Sequence, residues 1–187
     1  NNKAMYKRFW NVKKYGDESV ISRLQKEINV DRIVANLLSQ RGISTYDEAK
    51  KFFRPSLDDL YDPYLMKDME KAVERLSKAI DAGEKILIFG DYDVDGTTAT
   101  ALMIRFLRKQ KANVDYYIPD RYTEGYGISK KGIDYARETK VSLLISVDCG
   151  IKANSLIDYA VQSGIDVIVC DHHSVGDEIP NAYAVLD

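Results

Sequence analysis

Two short segments hold the residues best suited to chemistry: Asp91-Tyr-Asp-Val-Asp95-Gly96 and Asp171-His172-His173. The first follows the apolar run Ile86-Leu-Ile-Phe89, and the second follows Ile165-Asp-Val-Ile-Val-Cys170. Asp148 follows a third run, Leu143-Leu-Ile-Ser-Val147, and both histidines of the chain fall in the second segment. Carboxylates and imidazoles at the ends of parallel strands are how an α/β protein builds a metal site. The chemistry they imply is metal-dependent hydrolysis of a phosphorylated substrate.

Asp91, Asp93 and Asp95 crowd three carboxylates into five residues, an arrangement that repels itself unless a cation is present. A tight strand-to-helix turn would let them converge on a metal, with Gly96 permitting the turn and Thr97 or Thr98 capping the next helix. The plainer alternative is a solvated Asp-rich turn. In Asp171-His172-His173, an imidazole beside a carboxylate suits Mn²⁺, Fe²⁺ or Zn²⁺ better than Mg²⁺ alone. Its alternative is a surface turn, against which stands the gathering of both histidines at one strand end. Asp148 by itself would read as a cap or turn former. Its weight comes from being the third acidic strand end, because right-handed crossovers bring all such ends to one edge of a sheet.

The elements needed to position these groups are legible around them. Helical patterns run from Asp17 to Asn29, from an Asp31 cap to a Gly42 stop, and from Thr45 to Phe53, with Pro55 as terminator. Arg54 to Tyr64 reads as a crossing loop. Asp68 to Ala82 reads as an amphipathic helix with Met69, Val73, Leu76 and Ile80 on its buried face. From Lys85 the pattern alternates: strands Ile86–Phe89, Val114–Ile118, Leu143–Val147, Ile165–Cys170 and Tyr183–Leu186, with helices Thr97–Lys109, Ser129–Thr139 and Ala153–Ser163 between the first four. Strands this continuously apolar are covered on both faces. The expected fold is therefore α/β, a doubly wound, mainly parallel Rossmann-like sheet over residues 65–187, preceded by a small helical or irregular region, 1–64.

Composition narrows the function classes. A net charge of −2 gives no support to a nonspecific nucleic-acid coat, although bound divalent ions would reverse the field inside an acidic site. No apolar run approaches the roughly 20 residues of a membrane span, and Asn1 to Trp10 has no signal-type apolar stretch, so the cytoplasm is the expected compartment. Cys149 and Cys170, the only cysteines, read as small core residues at strand ends. There is no GxxxxGK[ST], no GxGxxG after a strand and no GxSxG elbow. Asp93-Val-Asp95-Gly96-Thr97 matches the DxDGT string of haloacid-dehalogenase-type phosphatases. There, however, the first Asp follows the strand directly, and the double histidine would go unexplained.

At these residues the chain resembles the DHH phosphoesterase superfamily. The matching pieces are Phe89-Gly-Asp-Tyr-Asp-Val-Asp-Gly-Thr-Thr98, Ile118-Pro-Asp-Arg-Tyr-Thr-Glu-Gly-Tyr-Gly127, Val147-Asp-Cys-Gly-Ile151 and Asp171-His-His173. The Pro-Asp-Arg…Gly-Tyr-Gly loop favours the single-strand-specific exonuclease branch over the pyrophosphatase and small-oligonucleotide branches. Val94 departs from the alanine common in that branch. The resemblance implies 5′-to-3′ hydrolysis of single-stranded DNA in repair and recombination, with two Mn²⁺ or Mg²⁺ ions in the complete enzyme. It implies that Asp93 and Asp95 each hold one ion, that Asp91 completes or supports the first, that Asp148 bridges and that His172 binds the second. His173 would sit by the scissile phosphate and Asp171 would orient a histidine.

The loop after Ile118 carries candidate substrate contacts. Arg121 can fork two hydrogen bonds to a phosphate, Tyr122 or Tyr126 can stack on a base or sugar, and Gly125 and Gly127 permit close backbone approach. On the residues alone, the alternative is that Arg121 pairs with Asp120 or Glu124 and the tyrosines plug the core; the resemblance favours substrate contact. It also implies that a further metal-ligand motif and a nucleic-acid-gripping domain lie beyond Asp187, so the chain reads as an N-terminal fragment with weak or absent activity of its own. Two competing functions are a DHH-type phosphoesterase acting on pyrophosphate, cyclic dinucleotides or short oligonucleotides, and a catalytically silent scaffold. The intact acidic motifs argue against the scaffold.

Overall fold

The computed structural model describes residues 9–187. Residues 1–8, part of the N-terminal stretch considered above, lie outside the described residues. The chain divides into two compact units between Tyr61 and Asp62. The first contains α1 (Glu18–Ile28), α2 (Arg32–Ser39) and α3 (Tyr46–Phe53). Each start is fixed locally: Asp17, Asp31 and Thr45 accept hydrogen bonds from the backbone N–H groups of the first turn, and Glu48 completes a capping box with Thr45. Ile21, Leu24, Ala35, Leu38 and Ala49 form the core of this unit. The stretch after Pro55 is not wholly irregular, since single 3₁₀ turns form at Leu57–Asp59 and Pro63–Leu65.

The second unit opens with α4 (Met69–Asp81) and continues through β1 (Ile86–Gly90), α5 (Val94–Lys109), β2 (Val114–Tyr117), α6 (Lys130–Glu138), β3 (Leu143–Val147), α7 (Asn154–Gln162), β4 (Asp166–Cys170) and β5 (Ala184–Leu186). The five strands form one parallel sheet in the order β2-β1-β3-β4-β5. Alternate residues feed two cores. Leu87, Phe89, Leu144, Val167 and Val169 pack with Ile133, Ala136, Ile157 and Ala160 of α6 and α7. Ile86, Ile88, Leu143, Ile145 and Ile168 pack with Ala72, Ala79, Ile104 and Leu107 of α4 and α5. All five residues of β1 and of β3 are buried, as expected of strands covered on both faces.

The buried face of α4 differs from the sequence reading. Ala72, Arg75 and Ala79 are buried, Leu76 and Ile80 are half-buried, and Val73 is exposed. The two alanines suit close packing of the helix, and Arg75 is drawn in by Glu84 and Asp166, at 2.7 and 2.6 Å. Large apolar side chains therefore do not mark the face that is most buried. Close packing also governs α6, where a Cβ on Gly132 would stand 2.3 Å from the Phe89 ring. Gly132→Ala is expected to lower stability by about 1–3 kcal/mol, the usual cost of overpacking, measurable by urea denaturation.

β2 and β3 flank β1 on opposite sides, so the winding direction reverses at β1. In open α/β sheets the crevice at such a reversal, beyond the carboxyl ends of the strands, is where ligands bind. The acidic segments leave the sheet there. Among the described residues no helix is long and apolar enough to cross a membrane.

Candidate metal centre

Register brings the three acidic strand ends together. Gly90 pairs with Val147 and Val147 with Cys170, so the next residue on each strand is an aspartate: Asp91, Asp148 and Asp171. Asp148 takes a left-handed conformation at φ 61°, one that Asp tolerates better than most residues. Its N–H donates to the Cys170 carbonyl at 2.9 Å, tying two of these ends to each other.

The turn after β1 is tighter than the sequence suggested. α5 begins at Val94, and its cap is Asp93, whose Oδ1 accepts from Gly96 N–H at 3.0 Å. Neither Thr97 nor Thr98 caps it. Both lie inside the first turns and donate back to the carbonyls of Asp93 and Val94, at 2.7 and 2.6 Å. An Asp cap is favourable at the positive end of the helix dipole, which explains the earlier start. Gly96 is required by contact rather than by turn geometry, because a Cβ there would lie 2.4 Å from the Asp91 carbonyl oxygen. Asp95 falls in the first helical turn, exposed, lining an open groove with Asp148, His172, Met69, Leu102 and Met103.

Asp148, His172 and His173 can each offer a ligand atom within 4.8 Å of the other two. His172 Nε2 stands 3.0 Å from Asp148 Oδ1, and the Asp93 carboxylate also lies against Asp148. Burial and then the Asp93 charge hold the Asp148 carboxyl above its ordinary pKa, outweighing the His172 contact. Asp93 is held below its ordinary value, chiefly by the Gly96 N–H. Asp171 sits beneath the histidines. Burial alone would raise its pKa, but hydrogen bonds from Ile151 N–H, the His173 ring and the N–H groups of His173 and His172 lower it. His173 Nδ1 lies 2.7 Å from Asp171 Oδ1, and that bond raises the pKa of the imidazole. Burial pushes the Cys149 thiol well above its usual value and Cys170 up to about 11.

Asp91 is not part of that cluster. It is fully buried, and its Oδ1 accepts from Gly127 N–H at 3.2 Å. The loop after β2 is thereby brought to the same edge as the acidic strand ends. Arg121 pairs with neither acidic neighbour. Asp120 accepts from Tyr122 N–H, Thr123 N–H and the Thr123 hydroxyl, while Glu124 takes the Tyr117 and Ser129 hydroxyls. The Arg121 guanidinium instead lies 4.9 Å over the Tyr92 ring. Tyr92 in turn meets Tyr126 edge-on at 6.2 Å, and Tyr126 meets His173 at 5.9 Å. Tyr122 is 93% exposed and touches none of these. Tyr92 was missed in the sequence. Its position between two aspartates was the available signal, since a side chain there must share their edge. Gly125 and Gly127 both hold positive φ, 84° and 79°, which fixes the course of the loop on either side of Tyr126.

These residues fit a divalent cation. Asp148 and Asp93 crowd two carboxylates without a compensating lysine or arginine among their contacts, and Asp91 Oδ2 is buried with no hydrogen-bond partner. A mixed carboxylate and imidazole set suits Mn²⁺, with Mg²⁺ acceptable through the carboxylates. The crowding also has a pH signature. A carboxyl whose folded pKa is raised contributes stability below its unfolded value of about 3.8 that is lost as pH rises through the folded value. Metal-free Asp148→Asn is therefore expected to be more stable than the parent at neutral pH and equal to it below about pH 3. Thermal melts with chelator across that range would check it.

Comparison with known proteins gives the family. Residues 85–187 match the family described as "DHH family, N-terminal domain". The chain is 40% identical over 177 residues to the single-stranded-DNA-specific exonuclease RecJ of Bacillus subtilis (strain 168), covering 95% of this chain and 22% of that protein. It is 35% identical over 156 residues to RecJ of Escherichia coli (strain K12), covering 83% and 26%. The crystal structure of RecJ in complex with Mn²⁺ from Thermus thermophilus superposes with a TM-score of 0.66 at 27% identity, over 94% of this chain and 24% of that one. The chain thus spans about a quarter of the length of these relatives. With its matched segment running from the strand before Asp91 to beyond Asp171-His172-His173, the chain belongs to the DHH family.

Proposed function

We propose that this chain supplies the metal-binding half of a nuclease that hydrolyses phosphodiester bonds in single-stranded DNA from the 5′ end. The observation that carries the reading is the register row Asp91, Asp148 and Asp171, with His172, His173 and Asp93 gathered on Asp148 and Asp171. The single-strand substrate is supported by the names of the relatives, and Mn²⁺ or Mg²⁺ by the ions in the RecJ structures.

Asp93, Asp95, Asp148 and His172 would hold the ions, with the free Asp91 Oδ2 as a further donor. Bound in pairs, such ions activate water and stabilise charge on a phosphate. The chain's own residues do the rest. Asp171 accepts a hydrogen bond from Nδ1–H of His173, which turns Nε2, on the Tyr126 side of the ring, toward the phosphate. Arg121, unpaired with any acid among the described residues, supplies a fork for a phosphate oxygen pair. The half-exposed ring of Tyr126, beside the partly buried Tyr92, offers a face for a base or sugar.

Two measurements test this. Strands labelled at the 5′ or the 3′ end, in a length series down to dinucleotides, separate 5′ exonuclease action from a phosphoesterase that prefers short substrates. In the full-length protein, Arg121→Ala is expected to lower kcat/KM about 10- to 100-fold, the worth of a hydrogen bond to a charged group, and to leave Mn²⁺ affinity unchanged. Unchanged kinetics or lost metal binding would remove Arg121 from the site.

A further inference from the structure

Tyr126 is half exposed as a residue, at 53%, yet its hydroxyl is committed. The oxygen stands 3.2 Å from His173 Nε2 and 3.3 Å from the Asp148 carbonyl. On the far side of His173, Nδ1 is held by Asp171 at 2.7 Å. Asp171 is itself fixed, accepting from Ile151 N–H at 2.9 Å and from the N–H groups of His172 and His173. Both ring nitrogens of His173 therefore have partners, one a carboxylate and one a phenol. The phenol is delivered by a rigid route, because Gly127 N–H is bonded to buried Asp91 and Gly125 and Gly127 fix the backbone on either side. A stacking residue alone would need none of this, since its hydroxyl would be free to turn to solvent.

We infer that Tyr126 is a positioning residue for His173, its hydroxyl clamping the imidazole from the Nε2 side while Asp171 clamps it from the Nδ1 side. The inference rests on the nuclease reading, and it gives Asp91 a second task. One carboxylate oxygen anchors the Tyr126 loop while the other stays free for an ion. In the neutral imidazole, Nδ1–H donates to Asp171 and Tyr126 Oη–H donates to Nε2. For Nε2 to meet a phosphate oxygen it must carry a proton, taken from solvent, and donate it; the phenol, displaced from Nε2, then donates to the Asp148 carbonyl, already within reach. The ring is thus held in the orientation for phosphate contact before substrate enters, without an unsatisfied polar group in either state.

The test separates ring from hydroxyl and Tyr126 from His173, using the full-length protein with a 5′-phosphorylated single strand and Mn²⁺. Tyr126→Phe is expected to lower kcat about tenfold with KM within twofold, at unchanged Mn²⁺ affinity by calorimetry. Tyr126→Ala, which also loses the ring face, is expected to raise KM as well. In a His173→Ala background, Tyr126→Phe should cost nothing further. Unchanged kcat in the single variant, or an undiminished tenfold loss in the double variant, would overturn the inference. A second readout needs no turnover: long-range ¹⁵N–¹H spectra of the metal-free protein should show the His173 Nε2 resonance moved by Tyr126→Phe and the Nδ1 resonance in place. If the parent cleaves no oligonucleotide, the nuclease reading fails, and this spectrum alone decides the clamp: a still Nε2 resonance overturns it and a moved one upholds it.

Discussion

Replacing Asp171 by alanine is expected to cost about 2–4 kcal/mol of stability and to reduce hydrolysis more than a hundredfold. The stability loss follows from its surroundings. The carboxylate is 2% exposed and accepts from Ile151 N–H, His172 N–H, His173 N–H and the His173 ring. Removing it leaves the N–H of buried Ile151 without a partner, at about 1–3 kcal/mol, and releases the more exposed histidine donors that order this strand end. The sign of the pH dependence is fixed as well. Because hydrogen bonds hold the Asp171 pKa below its ordinary 3.8, its contribution is present above that value and is lost as pH falls through the folded pKa. The gap between parent and variant in urea denaturation should therefore be full at pH 7 and shrink toward pH 3. Equal stability at pH 7 would show that Asp171 does not organise this strand end.

Mn²⁺ is the second large lever. Saturating the site at about 100 times Kd stabilises the native state by about 2.7 kcal/mol. For a chain of this size that corresponds to roughly 5–10 °C in Tm. Asp148→Asn and His172→Ala are each expected to abolish most of the shift, because Asp148 is the residue on which His172 and Asp93 converge. Asp148→Asn should then be more stable than the parent in chelator and less stable in Mn²⁺. A general loss of structure cannot produce that crossing. Equal Mn²⁺ shifts in parent and both variants would count against the site.

The strands and the acidic ends were legible in the sequence because both follow simple rules. Apolar runs of five residues buried on both faces give β1 and β3 directly, and a parallel sheet brings their ends to one edge whatever the helices do. Other features depend on distances that no local pattern encodes. The start of α5 moved to Val94 because Asp93 outcompetes the threonines for the helix cap, a choice settled by the contact of Gly96 with Asp91. The most buried face of α4 belongs to Ala72 and Ala79 rather than to Val73, since closeness to the sheet rewards small side chains there. Asp91 read as one of three equivalent carboxylates, yet it is buried and bonded to Gly127, 36 residues away. The Tyr126 hydroxyl contact with His173 spans 47 residues and has no sequence signature. The loop motif placed Tyr126 at the right edge and left its hydroxyl unassigned.

The central proposal is that the carboxylate and imidazole cluster around Asp148 holds divalent ions that serve a single-strand nuclease. Its most direct test is digestion of a 5′-labelled single strand and of the matching duplex by the full-length protein, in Mn²⁺ and in chelator, beside Asp148→Asn. The account predicts release of labelled mononucleotide from the single strand in Mn²⁺ alone, little from the duplex, and none with the variant. Equal cleavage by Asp148→Asn, or cleavage that survives the chelator, would contradict it.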